Sequence, residues 1–221
     1  QHSVQDVLRT VVGVDVVRSG GQGGNSSVFL RGANSEHTLV LIDGIEANSP
    51  ISPTRAFNFS DLSVDNIERI EVLRGPQSTL YGSDAIGGVI NIITKKGKGE
   101  TSGSLSSEGG SYRTFTERAS AAGSADIVHY SLGASREDSD GFSAAAARDG
   151  NREHDGYQNN SFSSRIGIVP TTEYNLDLIF RATNSDSALD NEGGVGGDDP
   201  NRRLRNQQRF FRSALNTSLL G

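Results

Sequence analysis

The sequence has no cysteine, no methionine and no tryptophan, and only 5 prolines in 221 residues. Without thiols there can be no disulfide scaffold, cysteine-based zinc or iron–sulfur site, or thiol nucleophile, and the compartment stays open. No apolar run approaches the roughly 18 residues of a membrane-crossing helix, and residues 1–12 carry no basic-then-apolar signal peptide. Concentrated positive charge is missing too: Lys and Arg number 21 against 27 Asp and Glu, a net charge of -6. With no dense Lys/Arg patch to neutralise phosphates, no nucleic-acid partner is expected. The histidines His2, His37, His129 and His154 are scattered, and neither H-E-x-x-H nor G-x-S-x-G occurs, so no enzyme is expected. Core-forming side chains are scarce at 33%, against about 45–50%, glycine included, in an average globular domain. Something besides a large apolar core must organise part of the chain.

What is present changes character at about residue 98. Up to there, apolar residues come in compact, mostly β-branched blocks: Val11–Val17, Val28–Leu30, Thr38–Ile42, Ile67–Leu73 and Gly88–Thr94. Bounded by Gly, Pro, Asn and Ser, they read as short strands of a small mixed domain. The spacing of Val4, Val7, Leu8, Val11 and Val12 predicts a helix, with Ser3 as N-cap, Asp6 as capping partner and Gly13 as stop. A second short helix is predicted at Gln77–Tyr81, after Pro76 and before Gly82. The Gly20–Gly24 stretch is no dinucleotide loop, because the third glycine of G-x-G-x-x-G is missing and a strand follows.

After residue 98 the apolar residues stand singly and alternate with polar ones. Tyr174, Leu176, Leu178, Phe180 and Ala182 are the clearest case, and Ile127–Arg136, Asn159–Val169 and Arg209–Leu219 repeat the pattern. Thr101–Ser107 and Thr114–Ala122 are fainter strands. Tight turns at Gly123–Asp126 and Pro170–Thr172 alternate with long polar connections at Glu137–Gln158 and Ser185–Asn206. In an up-and-down sheet this sends all tight turns to one end, as in an outer-membrane barrel, and lipid-facing alternation accounts for the low apolar fraction. A soluble β-sandwich alternates in the same way, so periodicity leaves both open.

Three stretches carry a resemblance: Ser3–Val16 (SVQDVLRTVVGVDV), Asn25–Asn48 (NSSVFLRGANSEHTLVLIDGIEAN) and Ile67–Lys95 (IERIEVLRGPQSTLYGSDAIGGVINIITK). Together they resemble the plug domain of TonB-dependent outer-membrane receptors, most closely the cobalamin transporters. The resemblance implies an α+β plug over residues 1–98, followed over 99–221 by antiparallel β-strands of a transmembrane β-barrel. The whole barrel would have about 22 strands, and it would lie in the outer membrane of a Gram-negative bacterium. It also implies outer-membrane lipid as surroundings, TonB as partner through a segment upstream of Gln1, and a scarce metal chelate as ligand. Cobalamin is favoured, with ferric siderophore or haem as alternatives and a soluble β-rich binding or adhesion module as a different class. About six wall strands, fewer than the roughly eight of the smallest membrane barrels, and the missing initiator Met read as a piece cut from a longer chain.

Candidate site residues follow. Arg31 and Arg74 each end an apolar run before Gly. A strand-end arginine that is buried needs a carboxylate, and the resemblance implies that both latch the plug to barrel glutamates, with Glu71 in support. Asn25, Ser26 and Ser27 follow the flexible glycines and could hydrogen-bond a large polar ligand from the plug apex. The resemblance assigns ligand contact to Ser26 and Ser27, and Ser52 and Arg55 are the polar tips of a second apical loop, although its Pro50 and Pro53 depart from the relatives' glycine-rich version. In the first long connection Asp138, Asp140, Asp149 and Asp155 offer oxygens suited to Ca2+, and the resemblance matches Asp138 and Asp140 to calcium ligands. Asp186, Asp190, Glu192, Asp198 and Asp199 could add more from the second.

Overall fold

The computed structural model describes residues 3–50, 52, 54–143, 148, 154–190, 199 and 201–217. Helix α1 (Val4–Leu8) is capped as expected. Ser3 Oγ accepts from the Asp6 amide at 3.4 Å and donates to Asp6 Oδ2 at 2.7 Å. The helix is shorter than the apolar spacing predicts. It ends at Leu8, single turns carry the chain onward through Val11, and Val12 is 83% exposed. Two adjacent β-branched residues are poor helix continuers, and Gly13, at φ 77, turns the chain into the first strand.

Strands β1 (Val14–Arg18) and β2 (Ser26–Leu30) form an antiparallel pair. β3 (Thr38–Ile42), β4 (Ile45–Glu46), β5 (Ile67–Arg74) and β6 (Gly88–Thr94) make a mixed sheet of order β4-β3-β6-β5, with β3 parallel to β6. The second helix, α2 (Ser78–Tyr81), follows Gln77, one residue later than predicted. One sheet face, through Val40, Ile42, Ile90 and Ile92, packs on Val4, Leu8, Val28, Leu30 and the edge-to-face pair Phe57–Phe59. This first body therefore has an ordinary apolar interior.

The second body does not. β7 (Ser102–Gly109), β8 (Phe115–Ala125), β9 (Val128–Ser139), β10 (Tyr157–Thr171), β11 (Tyr174–Ala188) and β12 (Arg203–Thr217) form one 6-stranded antiparallel sheet in chain order. The chain is an α+β plug followed by antiparallel strands of a barrel wall. The strands run further than alternation alone indicated. β10 takes in Pro170, accommodated by an irregularity between Ile168 and Thr171, and β9 takes in Glu137 and Asp138.

The faces of this sheet are inverted. On β11 the buried residues are Asp177, Ile179, Arg181, Thr183, Ser185 and Ser187, turned toward the plug, while Leu176, Leu178 and Phe180 alternate with them on the other side. Leu105, Phe211 and Leu215 are 85%, 67% and 65% exposed. Burying such a side chain is worth about 1.5–3 kcal/mol, so leaving several of them on the outer face is costly in water. A soluble sandwich would bury that face against a second sheet, and here the buried face is the polar one.

Candidate functional site

The contact between plug and wall is built from hydrogen bonds and buried charge. Its centre is the Asp43-Gly44 turn joining β3 to β4, where both residues have positive φ, 51 and 78. An Asp-Gly pair suits such a two-residue hairpin. The turn brings Asp43 Oδ1 to 3.2 Å from Arg165 Nη1, and Arg165 also holds Asp177 through Nε at 3.3 Å and Nη2 at 3.2 Å. The Asp43 side chain is 2% exposed and that of Arg165 8%. Thr94 donates twice to Asp43, at 3.0 and 2.7 Å, and Arg212 Nη1 donates to the Asp43 carbonyl at 2.9 Å. Arg181, also buried, is attracted by the charges of Asp43 and Asp65.

Further polar clamps run along the same face. Asn66 accepts from Ser131 Oγ at 2.6 Å and donates to Ser163 Oγ at 3.1 Å. Asp61 accepts from Tyr157 at 3.2 Å and Asn206 at 2.8 Å, and Asp65 meets Arg118 at 3.2 Å. None of these residues stood out in the sequence. A usable signal was present: Arg165, Asp177 and Arg181 interrupt the polar faces of adjacent strands with charge, and charge turned inward from a wall must meet a partner.

Arg31 and Arg74 come together at the other end of the plug sheet, both exposed, flanking Gly13. A Cβ built on Gly13 would sit 3.8 Å from Arg31 Cγ and 3.9 Å from Arg74 Nη1. Arg74 Nη1 donates to the Val12 carbonyl at 2.6 Å. Among the described residues neither arginine forms an ion pair with a carboxylate, and both lie at the strand ends remote from the Asp43 turn. Glu71 does not join them. It accepts from Arg69 Nε at 2.8 Å and Asn91 Nδ2 at 3.0 Å. The Arg69 hydrogen bond, seconded by Asn91, holds its carboxyl below the usual range.

The Gly20–Gly24 stretch does lie at the long-loop end. A Cβ on Gly23 would fall 2.1 Å from Ser187 Oγ and 2.3 Å from the Tyr157 ring, and one on Gly21 would touch Asp155. Asn25 beside it is exposed and Ser27 half-buried. Ser26 differs from the expectation, being 0% exposed with its Oγ donating to Gln5 Oε1 at 2.8 Å. Alternation along β2 turns it into the plug, so it cannot touch a ligand in this arrangement. Arg55 bridges Glu46 at 2.7 Å and Asp84 at 3.1 Å, and Ser52 Oγ lies 3.2 Å from Thr54 Oγ1. Both are tied to their own neighbourhood rather than to Asn25 and Ser27.

The acidic connection is likewise engaged. Asp138 sits in β9 on the outer face with Leu132, held by Arg136 and by Gln158 Nε2 at 2.6 Å. Asp140 pairs with Arg113. Asp155 is buried against Gly21 on the plug side, and Asp149 lies outside the described residues. The structure therefore does not bring Asp138 and Asp155 together, and no group of three acidic or histidine ligands converges among the described residues. As arranged, Asp138 and Asp140 are held by arginines rather than gathered round a common point.

Comparison with known proteins agrees with this architecture. Residues 1–89 match the model of the TonB-dependent Receptor Plug Domain. Similar solved structures include the siderophore receptor PirA from Acinetobacter baumannii, 26% identical with a TM-score of 0.67, over 90% of this chain and 32% of that one. A mutant of the ferric enterobactin receptor PfeA from Pseudomonas aeruginosa, in complex with enterobactin, is 24% identical, TM-score 0.66, over 90% and 33%. The copper transporter OprC is 19% identical, TM-score 0.69, over 86% and 29%. The chain spans about a third of the length of these receptors.

Proposed function

We propose that this chain, a TonB-dependent receptor plug domain joined to an inverted β-wall, is the plug and first wall strands of an outer-membrane receptor importing a metal chelate. It lies in the outer membrane of a Gram-negative bacterium, with energy delivered by TonB. One observation carries the reading: the wall turns its apolar face outward and its charged face onto the plug. That arrangement has a use only where lipid lies outside and a gate within.

Cargo meets the apex at Asn25 and Ser27, above a plug held to this wall by the Asp43–Arg165–Asp177 cluster. Arg31 and Arg74 form a second hold at the far end of the plug, against carboxylates of the remaining wall. Two guanidinium groups flanking one glycine repel each other unless anions are shared between them. Pulling by TonB would then break the exposed hold before the buried one, because exposed ion pairs are worth about 0–1 kcal/mol and buried ones cost several to break. The expected result for Arg31→Gln with Arg74→Gln is severalfold greater leakage of a bulky antibiotic through the full receptor, with outer-membrane yield unchanged. Leakage equal to wild type would remove the latch.

Cobalamin is the cargo implied by the plug sequence, whereas PirA is named a siderophore receptor and PfeA a ferric enterobactin receptor. A ferric siderophore therefore fits this reading as well as cobalamin does. Uptake of labelled cyanocobalamin, of a ferric catecholate and of haem by cells carrying only the full receptor decides between them, and import of none of the three overturns the reading. Calcium is proposed only for a rearranged loop, in which Asp138 and Asp140 exchange Arg136 and Arg113 for the ion. A severalfold loss of cargo affinity on chelation, absent in Asp138→Ala with Asp140→Ala, is then expected; affinity indifferent to chelation removes the metal and leaves the receptor standing.

A further inference from the structure

We propose that a cavity at the tight-turn end, beneath the linker from plug to wall, binds an oxyanion of the phosphate class. The cavity encloses about 200 Å³ and is lined by Lys96, Lys98, His129, Arg165, Asn175 and Asp177. Three cationic side chains thus face one carboxylate. That carboxylate is already held in two-pronged fashion by Arg165, which also binds Asp43.

The donors remaining after these bonds define the ligand. A guanidinium has five N–H groups, and three of those on Arg165 are committed, so two stay available. The two lysines each bring an ammonium. His129 Nδ1 and Asn175 Oδ1 are buried without a hydrogen-bond partner among the described residues. Buried polar atoms are costly to leave unmade, and both of these can become donors, the ring by its other tautomer and the amide by a half-turn. A cation would meet repulsion from three sides. A tetrahedral anion with several acceptor oxygens answers all the donors at once through charge-assisted bonds.

The placement gives such a site a purpose. Gly97, between the two lysines, lies against the wall so closely that a Cβ on it would be 2.0 Å from the Tyr130 carbonyl oxygen and 2.3 Å from that of Gly123. An anion bound by Lys96 and Lys98 on the linker and by His129 and Asn175 on the wall would rivet the joint about which the plug must move. Free phosphate and a phospholipid headgroup offer the same chemistry, and the cavity lies on the plug side of the wall at its tight-turn end.

The test uses the full receptor. In phospholipid-free detergent, calorimetric titration with inorganic phosphate should show saturable binding. Lys96→Gln with Lys98→Gln should weaken it about tenfold or more, two cations being worth about that much near an anionic headgroup. Asn175→Asp, which leaves the linker untouched and adds negative charge to the cavity, should weaken it similarly, and Lys95→Gln, outside the cavity, should not. If phosphate fails to bind but phosphatidylglycerol is retained after exposure to phosphatidylglycerol vesicles, with the same dependence on Lys96 and Lys98 in native mass spectrometry, the headgroup is the source. Equal binding by all variants, or no binding of either probe, overturns the site. Cargo uptake is a separate readout, so failure here leaves the receptor reading intact.

Discussion

Replacing Arg165 with Met should destabilise the plug's seat by about 3–5 kcal/mol, the usual cost of stranding a buried charge. The variant leaves Asp43 and Asp177 both facing the seam without the guanidinium that now joins them. Thr94 still donates two hydrogen bonds to Asp43, so that carboxylate is partly compensated, while Asp177 loses the only ion pair it makes among the described residues. Urea unfolding of the full receptor in detergent, followed by release of the plug to protease, measures the loss. Arg165→Met combined with Asp43→Asn and Asp177→Asn provides the decisive contrast. With the charges removed together, most of the deficit should return, as buried ion pairs replaced as a set are often near neutral. If the single variant costs less than about 1 kcal/mol, the magnitude of an exposed pair, the cluster does not hold the plug.

Gly97→Ala is the second large effect, and its cause is purely steric. The added methyl would lie 2.0 Å from one wall carbonyl oxygen and 2.3 Å from another. Both oxygens belong to wall backbone and neither can rotate away, so the linker must lift. Overpacking of this kind costs about 1–3 kcal/mol, equivalent to roughly tenfold or more in the population of the lifted state. The flanking lysines make the event visible: trypsin should cut at Lys95, Lys96 or Lys98 about tenfold faster than in wild type. Unchanged cleavage would mean that the linker is not seated on the wall. Gly99, with open space around its Cβ position, is not an equivalent control because its φ is 68.

Much of the architecture was legible because two periodicities were strong. Thr38–Ile42 and Gly88–Thr94 emerge with the boundaries read from the sequence, since each is a short apolar run between turn residues. The wall strands were found in place but short, because Gln158, Asp138 and Arg203 are polar on both faces near the long-loop end and alternation fades there. The helix over Val4–Val12 was overextended because apolar spacing persists through Val11 and Val12 whether or not the backbone stays helical.

The site was less legible. Arg31 and Arg74 lie side by side at Gly13, which their Leu-Arg-Gly settings alone did not indicate, and Glu71 is taken by Arg69 and Asn91, a pairing that depends on which strand lies beside β5. Ser26 failed as a ligand contact for a simpler reason: adjacent residues on a strand face opposite ways, so Ser26 and Ser27 could not both be apical. The Asp43 cluster was invisible because its members are 122 and 12 residues apart in the chain, and only strand register unites them.

The two bodies hide opposite things, and this sets an order of maturation. The stopper keeps its greasy side chains within and can close in water as soon as it is made. The staves keep theirs without and have nothing to condense upon until they meet a bilayer. Until then the ionic rivets that fasten stopper to stave, Arg165 among them, lack the plug carboxylates they hold here. The seam between stopper and stave can therefore close only once both bodies are in place, since each of its ion pairs draws one partner from each.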